Sequence, residues 1–148
     1  MKLRAACLAT LLCVSACGDD ETPRDLEVSL GTARVSARMD PADGLAELDI
    51  TAELESTVDL EGATVREVIL SALPDGPQLE FAVSVRGPQD ALDIDLSAGD
   101  TVVARVTNTG TTNAELLPFC GMAASVTVVF EVEELERSAS RDLTVGCS

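Results

Sequence analysis

The chain has no histidine, no tryptophan and no tyrosine. Its single lysine is Lys2, so arginine is the only basic side chain beyond the first few residues. Phe81, Phe119 and Phe130 are its only aromatic residues. Each gap removes a class of function. Histidine is the usual general base near neutral pH and the commonest transition-metal ligand, so both roles lose their normal carrier. Sugar platforms and paratopes rely on Trp and Tyr. A serine nucleophile would lack its base, and neither a Gly-x-Ser-x-Gly elbow nor a phosphate-cradling glycine loop occurs. A hydrolase built on two carboxylates needs a constellation, not only abundant acids. With 26 acidic and 10 basic residues the net charge is −16. Such a surface repels nucleic acid and anionic headgroups, and attracts cations or basic partners. Apolar residues still make up 46% of the chain and are patterned, which excludes a disordered polymer.

Long apolar runs are also missing. Met1-Lys2-Leu3-Arg4 is a short basic start, and residues 5–15 that follow carry no charge. As a helix that run measures about 17 Å, whereas a bilayer core needs about 20 residues. Length and flanks fit a cleaved secretory signal. Val14-Ser15-Ala16-Cys17 resembles the lipobox of bacterial lipoproteins: an aliphatic residue and two small ones before a cysteine. The resemblance covers the leader only. It implies recognition of Val14, Ser15 and Ala16 by the signal peptidase, cleavage before Cys17, and a lipid on the Cys17 sulfur with further acylation of the new amino group. Each buried methylene adds about 0.8 kcal/mol, so two or more chains anchor stably. Cys7 and Cys13 read as apolar residues of the discarded leader.

The expected organisation is therefore a signal peptide over 1–16, a lipidated cysteine with an acidic tether over 17–25, and one domain over 26–148. Gly18-Asp19-Asp20-Glu21-Thr22-Pro23-Arg24 has no apolar residue and cannot pack; extended, it reaches roughly 25 Å. In enterobacterial lipoproteins an Asp directly after the lipidated cysteine favours the inner membrane. Gly18 in that place points to the cell envelope's outer membrane, if the cell has one.

The body alternates with period two, the signature of strands. Val35, Ala37 and Met39 oppose Arg34, Ser36 and Arg38. After the turn Pro41-Ala42-Asp43-Gly44, Leu48, Ile50, Ala52 and Leu54 alternate with polar residues, which makes a first hairpin. A helix over 45–56 is rejected because Ile50 would leave the apolar stripe. Residues 64–73 are apolar on both parities and fit either a central strand or a short helix stopped by Pro74. Leu79, Phe81, Val83 and Val85 form one strand. Leu92, Ile94 and Leu96 pair with Val102, Ala104 and Val106 as a second hairpin. Val126, Val128, Phe130 and Val132 mark the next strand, and Leu143, Val145 and Cys147 the last. About eight such strands predict an all-β fold: an antiparallel two-sheet sandwich, immunoglobulin-like or jelly-roll. Val106-Thr107-Asn108-Thr109-Gly110-Thr111 resembles the strand-edge turn of bacterial immunoglobulin-like modules.

Two cysteines remain in the body. Cys147 ends an alternating strand on its apolar parity, and Cys120 sits in a Pro-Phe-Cys-Gly turn. Exported chains meet an oxidising compartment, so a Cys120–Cys147 disulfide is expected. A reactive pair would want Cys-x-x-Cys spacing or a basic neighbour, and has neither. Asp93-x-Asp95-x-Ser97-x-Gly99-Asp100 superficially resembles a calcium loop. It lacks the glycine at position six and the glutamate at twelve, so Asp93, Asp95 and Asp100 read first as solvated carboxylates, with weak cation binding as the alternative. Glu131, Glu133, Glu134 and Glu136 read as a charged edge that discourages aggregation, and Asp40 and Asp43 as turn residues. No cofactor is expected. The sequence points to a lipid-anchored, non-catalytic module whose partner, if it binds by strand addition, is basic.

Overall fold

The computed structural model describes residues 25–148. Val14, Ser15, Ala16, Cys17 and the tether as far as residue 24 lie outside the described residues. Nine strands follow one another: β1 (Leu26–Ala37), β2 (Glu47–Ser56), β3 (Thr64–Ala72), β4 (Gln78–Glu80), β5 (Val83–Arg86), β6 (Thr101–Asn108), β7 (Ala123–Val132), β8 (Leu135–Thr144) and β9 (Gly146–Cys147). One short helix, α1 (Asn113–Leu116), lies between β6 and β7. The first sheet has the order β5-β6-β2-β1-β9 and the second β4-β3-β7-β8. Placing β6, β2 and β1 in one layer and β3, β7 and β8 in the other is the immunoglobulin-like arrangement of the two that the sequence allowed.

The core follows the predicted parity. Leu48, Ile50, Ala52 and Leu54 of β2 and Ala124, Val126, Val128, Phe130 and Val132 of β7 are all buried and face one another between the layers. Residues 64–73 resolve as a strand, not a helix. Val68, Leu70 and Ala72 point inward, and β3 is flanked by β4 and β7. Ile69 is half-buried on the outer face, which is why both parities look apolar.

Four expectations are corrected. First, Met39 lies beyond the end of β1 and is 63% exposed. Second, residues 79–86 are not one strand. The chain changes sheets at Phe81-Ala82: Phe81 N–H donates to Val68 O in the second sheet, while Ala82 N–H donates to Thr111 Oγ1 and its carbonyl accepts from Thr109 N–H beside the first. Third, Leu92, Ile94 and Leu96 form no hairpin with β6. Both edges of β6 are occupied by β2 and β5, so the segment turns to residues 60–63 instead, with Leu60 and Leu96 exchanging N–H···O bonds. Ile94 and Leu96 are buried there, and Leu92 is left exposed. Fourth, the last strand begins much earlier than Leu143, because β8 runs the full length of β7 in an antiparallel ladder from Val132↔Leu135 to Ala123↔Thr144.

β1 is also longer than its alternation suggests. Leu30 pairs with Ala52 and Ala33 with Ile50, so Gly31 and Thr32 together oppose Thr51. This bulge shifts the parity. Leu26, Val28 and Leu30 face the core before it, and Ala33, Val35 and Ala37 after it. Glycine suits position 31, since a Cβ there would lie 2.8 Å from Thr51 Oγ1 and force that side chain to shift. That hydroxyl accepts from Thr32 N–H at 2.8 Å.

Candidate functional site

The two ends of the sandwich differ. At the end where β1 finishes, Cys120 and Cys147 form a disulfide with Cα atoms 5.5 Å apart, a separation suited to such a bond. Its partners lie 27 residues apart in sequence, a loop for which the chain-entropy model gives about 3–4 kcal/mol. Nearby, Thr112 and Glu115 make a capping box at α1, and the carboxylate of Glu115 is held below its usual range by the Thr112 N–H and hydroxyl it accepts from. Buried Asn113 accepts from Arg38 N–H and donates to Pro41 O, fastening the turn after β1. Asn108 in the strand-edge turn donates to the carbonyls of Ala46 and Thr111 and accepts from the N–H groups of Gly110 and Thr111. These are fastenings, and none presents a reactive group.

The opposite end, where Asp25 enters the domain, carries the acids. Asp25 itself is fastened: its N–H donates to Thr57 Oγ1. Asp95 accepts from Gly62 N–H and Asp59 from Ala98 N–H, so these two carboxylates tie the end loops together. Asp93 and Asp95 share an open depression of about 330 Å³ with Glu61, and Asp100 is not part of its lining. Among the described residues no group of three or more His, Cys, Asp or Glu side chains is placed to hold a metal ion. Glu131, Glu133, Glu134 and Glu136 fall at the tip of the β7–β8 hairpin, where Glu133 adopts φ 52°. Glu136 is ion-paired with Arg66.

The side of the sandwich between β1 and β8 was not legible as a site in the sequence. The two strands run in the same direction here, since Asp25 meets Arg137 and Gly31 meets Arg141. They are joined by side chains instead of a ladder. Arg137 stands opposite Phe130, and Arg141 opposite Val126, so both arginines occupy the core-facing parity of β8. Arg137 donates to the Asp25 carboxylate at 3.0 Å, and Arg141 donates to the carbonyls of Leu30 and Gly31. β9 covers the same edge of β1 only at Ser36 and Ala37. An open depression of about 450 Å³ runs from Arg137 and Ser138 past Asp25 to Ser29 and on to Glu53, Glu55 and Thr101 of β2 and β6. On the outer face Glu27 stands directly opposite Glu55, and Ser29 opposite Glu53. None of these three glutamates is ion-paired to a described residue. Inward-facing charge on a β strand is a sequence signal that could have found the seam.

No family model matches the chain, and no curated protein matches it. Solved structures that resemble it include the following three. A family 123 glycoside hydrolase from Clostridium perfringens aligns at 11% identity and TM-score 0.46 over 81% of this chain and 26% of that one. AggA, the major subunit of aggregative adherence fimbriae type I from Escherichia coli, aligns at 10% identity and TM-score 0.35, covering 86% of this chain and 97% of AggA. The CooA pilin subunit from enterotoxigenic Escherichia coli aligns at 12% identity and TM-score 0.30, covering 82% and 98%. The chain thus spans about a quarter of the hydrolase's length. At these scores none of the three bears on what the chain does.

Proposed function

We propose that the chain is an envelope lipoprotein, anchored through acyl groups on Cys17, whose β-sandwich serves as a non-catalytic structural or protein-interaction module. The observation that carries the anchoring is the succession of a basic start, a short uncharged run and Val14-Ser15-Ala16-Cys17. Among the described residues no helix is long and apolar enough to cross a membrane. The acidic end, with Asp59, Glu61, Asp93 and Asp95, is the end from which the chain leads back towards Cys17. Carboxylates there hold the domain off anionic headgroups while the tether spans the gap. By the enterobacterial rule Gly18 supports an outer-membrane address in a cell that has an outer membrane.

A module that binds rather than catalyses is supported by the site chemistry. The depressions of about 450 and 490 Å³ are open. In the first, Asp25 is ion-paired and Glu27, Glu53 and Glu55 are exposed on strand faces; in the second, beside Arg105, the acid is exposed Asp90 in the turn after β5. The cation-binding alternative at Asp93, Asp95 and Asp100 is the weaker reading, because Asp95 is engaged by Gly62 and Asp100 stands outside the depression.

Fractionation tests the anchor. The wild-type chain is expected to sediment with membranes and to carry the mass of cleavage plus acyl chains. Cys17→Ala is expected to lose both. A Cys17→Ala product that is processed normally and still sediments with membranes would overturn the proposal. Calorimetry tests the alternative: calcium binding tighter than about millimolar, lost in Asp93→Asn, would promote it.

A further inference from the structure

Resting on the interaction-module reading, we infer that the free edge of β1 from Leu26 to Leu30 is a docking site for an extended partner segment that alternates basic and apolar residues and adds as a strand. Among the described residues the edge has backbone groups to offer, because β9 ladders only with Ser36 and Ala37 and β8, which packs alongside, makes no ladder with the rest. Main-chain bonds to a sheet edge give affinity, and the side chains of alternate parity give specificity. The parities here differ sharply. On the inner one, Leu26 is buried and Val28 and Leu30 are half-buried at the rim of the core. They would take apolar side chains. On the outer one, Glu27 faces Glu55 across the ladder, with Glu53 beside them. Like charges directly opposite destabilise a sheet, and no described cation is ion-paired with these. Lysine or arginine on the outward parity of an added strand would. The stretch is bounded by the Asp25–Arg137 pair at one end and by the Gly31–Thr32 bulge at the other, which limits the segment to about five residues in register.

Among the described residues, the hydrogen bonds from β8 to the backbone of this edge come from a guanidinium group. Arg141 bonds the Leu30 and Gly31 carbonyls, and it is exposed. The N–H groups of an incoming strand would replace it.

The test uses the full-length chain and a fluorescently labelled seven-residue peptide alternating lysine and valine, with binding read by anisotropy. A second peptide carries proline in place of the central valines. The wild-type chain is expected to bind the first and not the second, and amide exchange should slow within residues 26–30. Glu27→Lys/Glu55→Lys is expected to weaken binding at least about tenfold. Asp43→Lys/Asp75→Lys, the same charge change on exposed residues at the far end, is expected to leave it within about twofold. Arg141→Ala should tighten it. Absent binding, equal binding of the proline peptide, or equal weakening by both charge reversals each overturns the inference. The interaction-module reading fails separately. It falls if neither the wild type nor the Glu27→Lys/Glu55→Lys variant captures a salt-sensitive envelope partner. If both capture the same partner, only the β1 site falls.

Discussion

The two long sides of the sandwich are closed by opposite means. On one side a continuous segment crosses between the layers midway between two short strands. Its first half, β4, bonds to β3, its second half, β5, bonds to β6, and buried Phe81 fills the crossing. On the other side the crossing comes only after ten residues of β8, at buried Val145, and just two residues of β9 reach β1. What remains open there is bridged by Arg137 and Arg141. A covalent crossing placed between two short strands closes a side with ladder bonds and apolar packing. One placed at a long strand's end leaves an edge that only side chains can cover. The first side is built for stability, and the second retains a surface.

The largest expected effect therefore lies on the first side. Phe81→Ala should cost about 3–5 kcal/mol in urea unfolding, through lost transfer energy and the cavity left behind. A loss no greater than that of the arginine variants below would erase the contrast. Next comes the tie that holds β9 in place. Cys120→Ser/Cys147→Ser should lower stability by about 3–4 kcal/mol, and amide exchange should rise first around residues 145–148. Gly31→Ala should cost about 1–3 kcal/mol, because its methyl group would collide with Thr51 Oγ1 and flatten the bulge. Denaturant midpoints would show whether that cost rivals Phe81→Ala, which would mean the second side is stiffer than described.

The arginines should matter less for stability than for solution behaviour. The Arg137–Asp25 pair is half exposed, so Arg137→Ala should cost no more than about 1 kcal/mol. Arg137→Ala/Arg141→Ala should nevertheless raise self-association in sedimentation velocity, since it bares a strand edge. A strictly monomeric double variant would show that the edge is not exposed by their removal. The smallest effect belongs to the outer face of the first sheet. There Arg105 grips Asp49 through two bonds, at 2.8 and 2.7 Å, and that hydrogen-bonded guanidinium holds the Asp49 carboxyl below its ordinary value. A depressed carboxyl contributes stability that is full above the unfolded value of about 3.8–3.9 and is lost as pH falls through the lower folded value. Asp49→Asn should remove that acid-limb dependence, at a cost under about 1 kcal/mol near neutral pH.

The layered β architecture was legible because most strands bury one parity: β2 alternates throughout, and β6 and β7 do so apart from Val103 and Val129 on their outward faces. What escaped notice did so for local reasons. The first five residues of β1 carry the opposite parity to its last five, because a bulge at Gly31-Thr32 intervenes. β8 puts Arg137 and Arg141 where a reader expects aliphatic side chains, so its alternation looks broken. The Phe81-Ala82 crossing keeps its apolar parity through the change of sheet, so nothing in the pattern marks it. The segment 92–96 alternates like a strand but lies against an end loop, a choice made by which edges of β6 were already occupied. The seam site depends on two segments more than a hundred residues apart, and no spacing rule brings them together.

The bulged strand β1 leads straight from residue 25 into the body, laddered to β2 along most of its length. A pull on that residue, away from the acidic end, acts along the strand axis. The ladder bonds would then share the load in shear instead of opening one after another like a zip. Whatever grips the preceding residues, the fold meets tension through a strand laddered to β2 along most of its length.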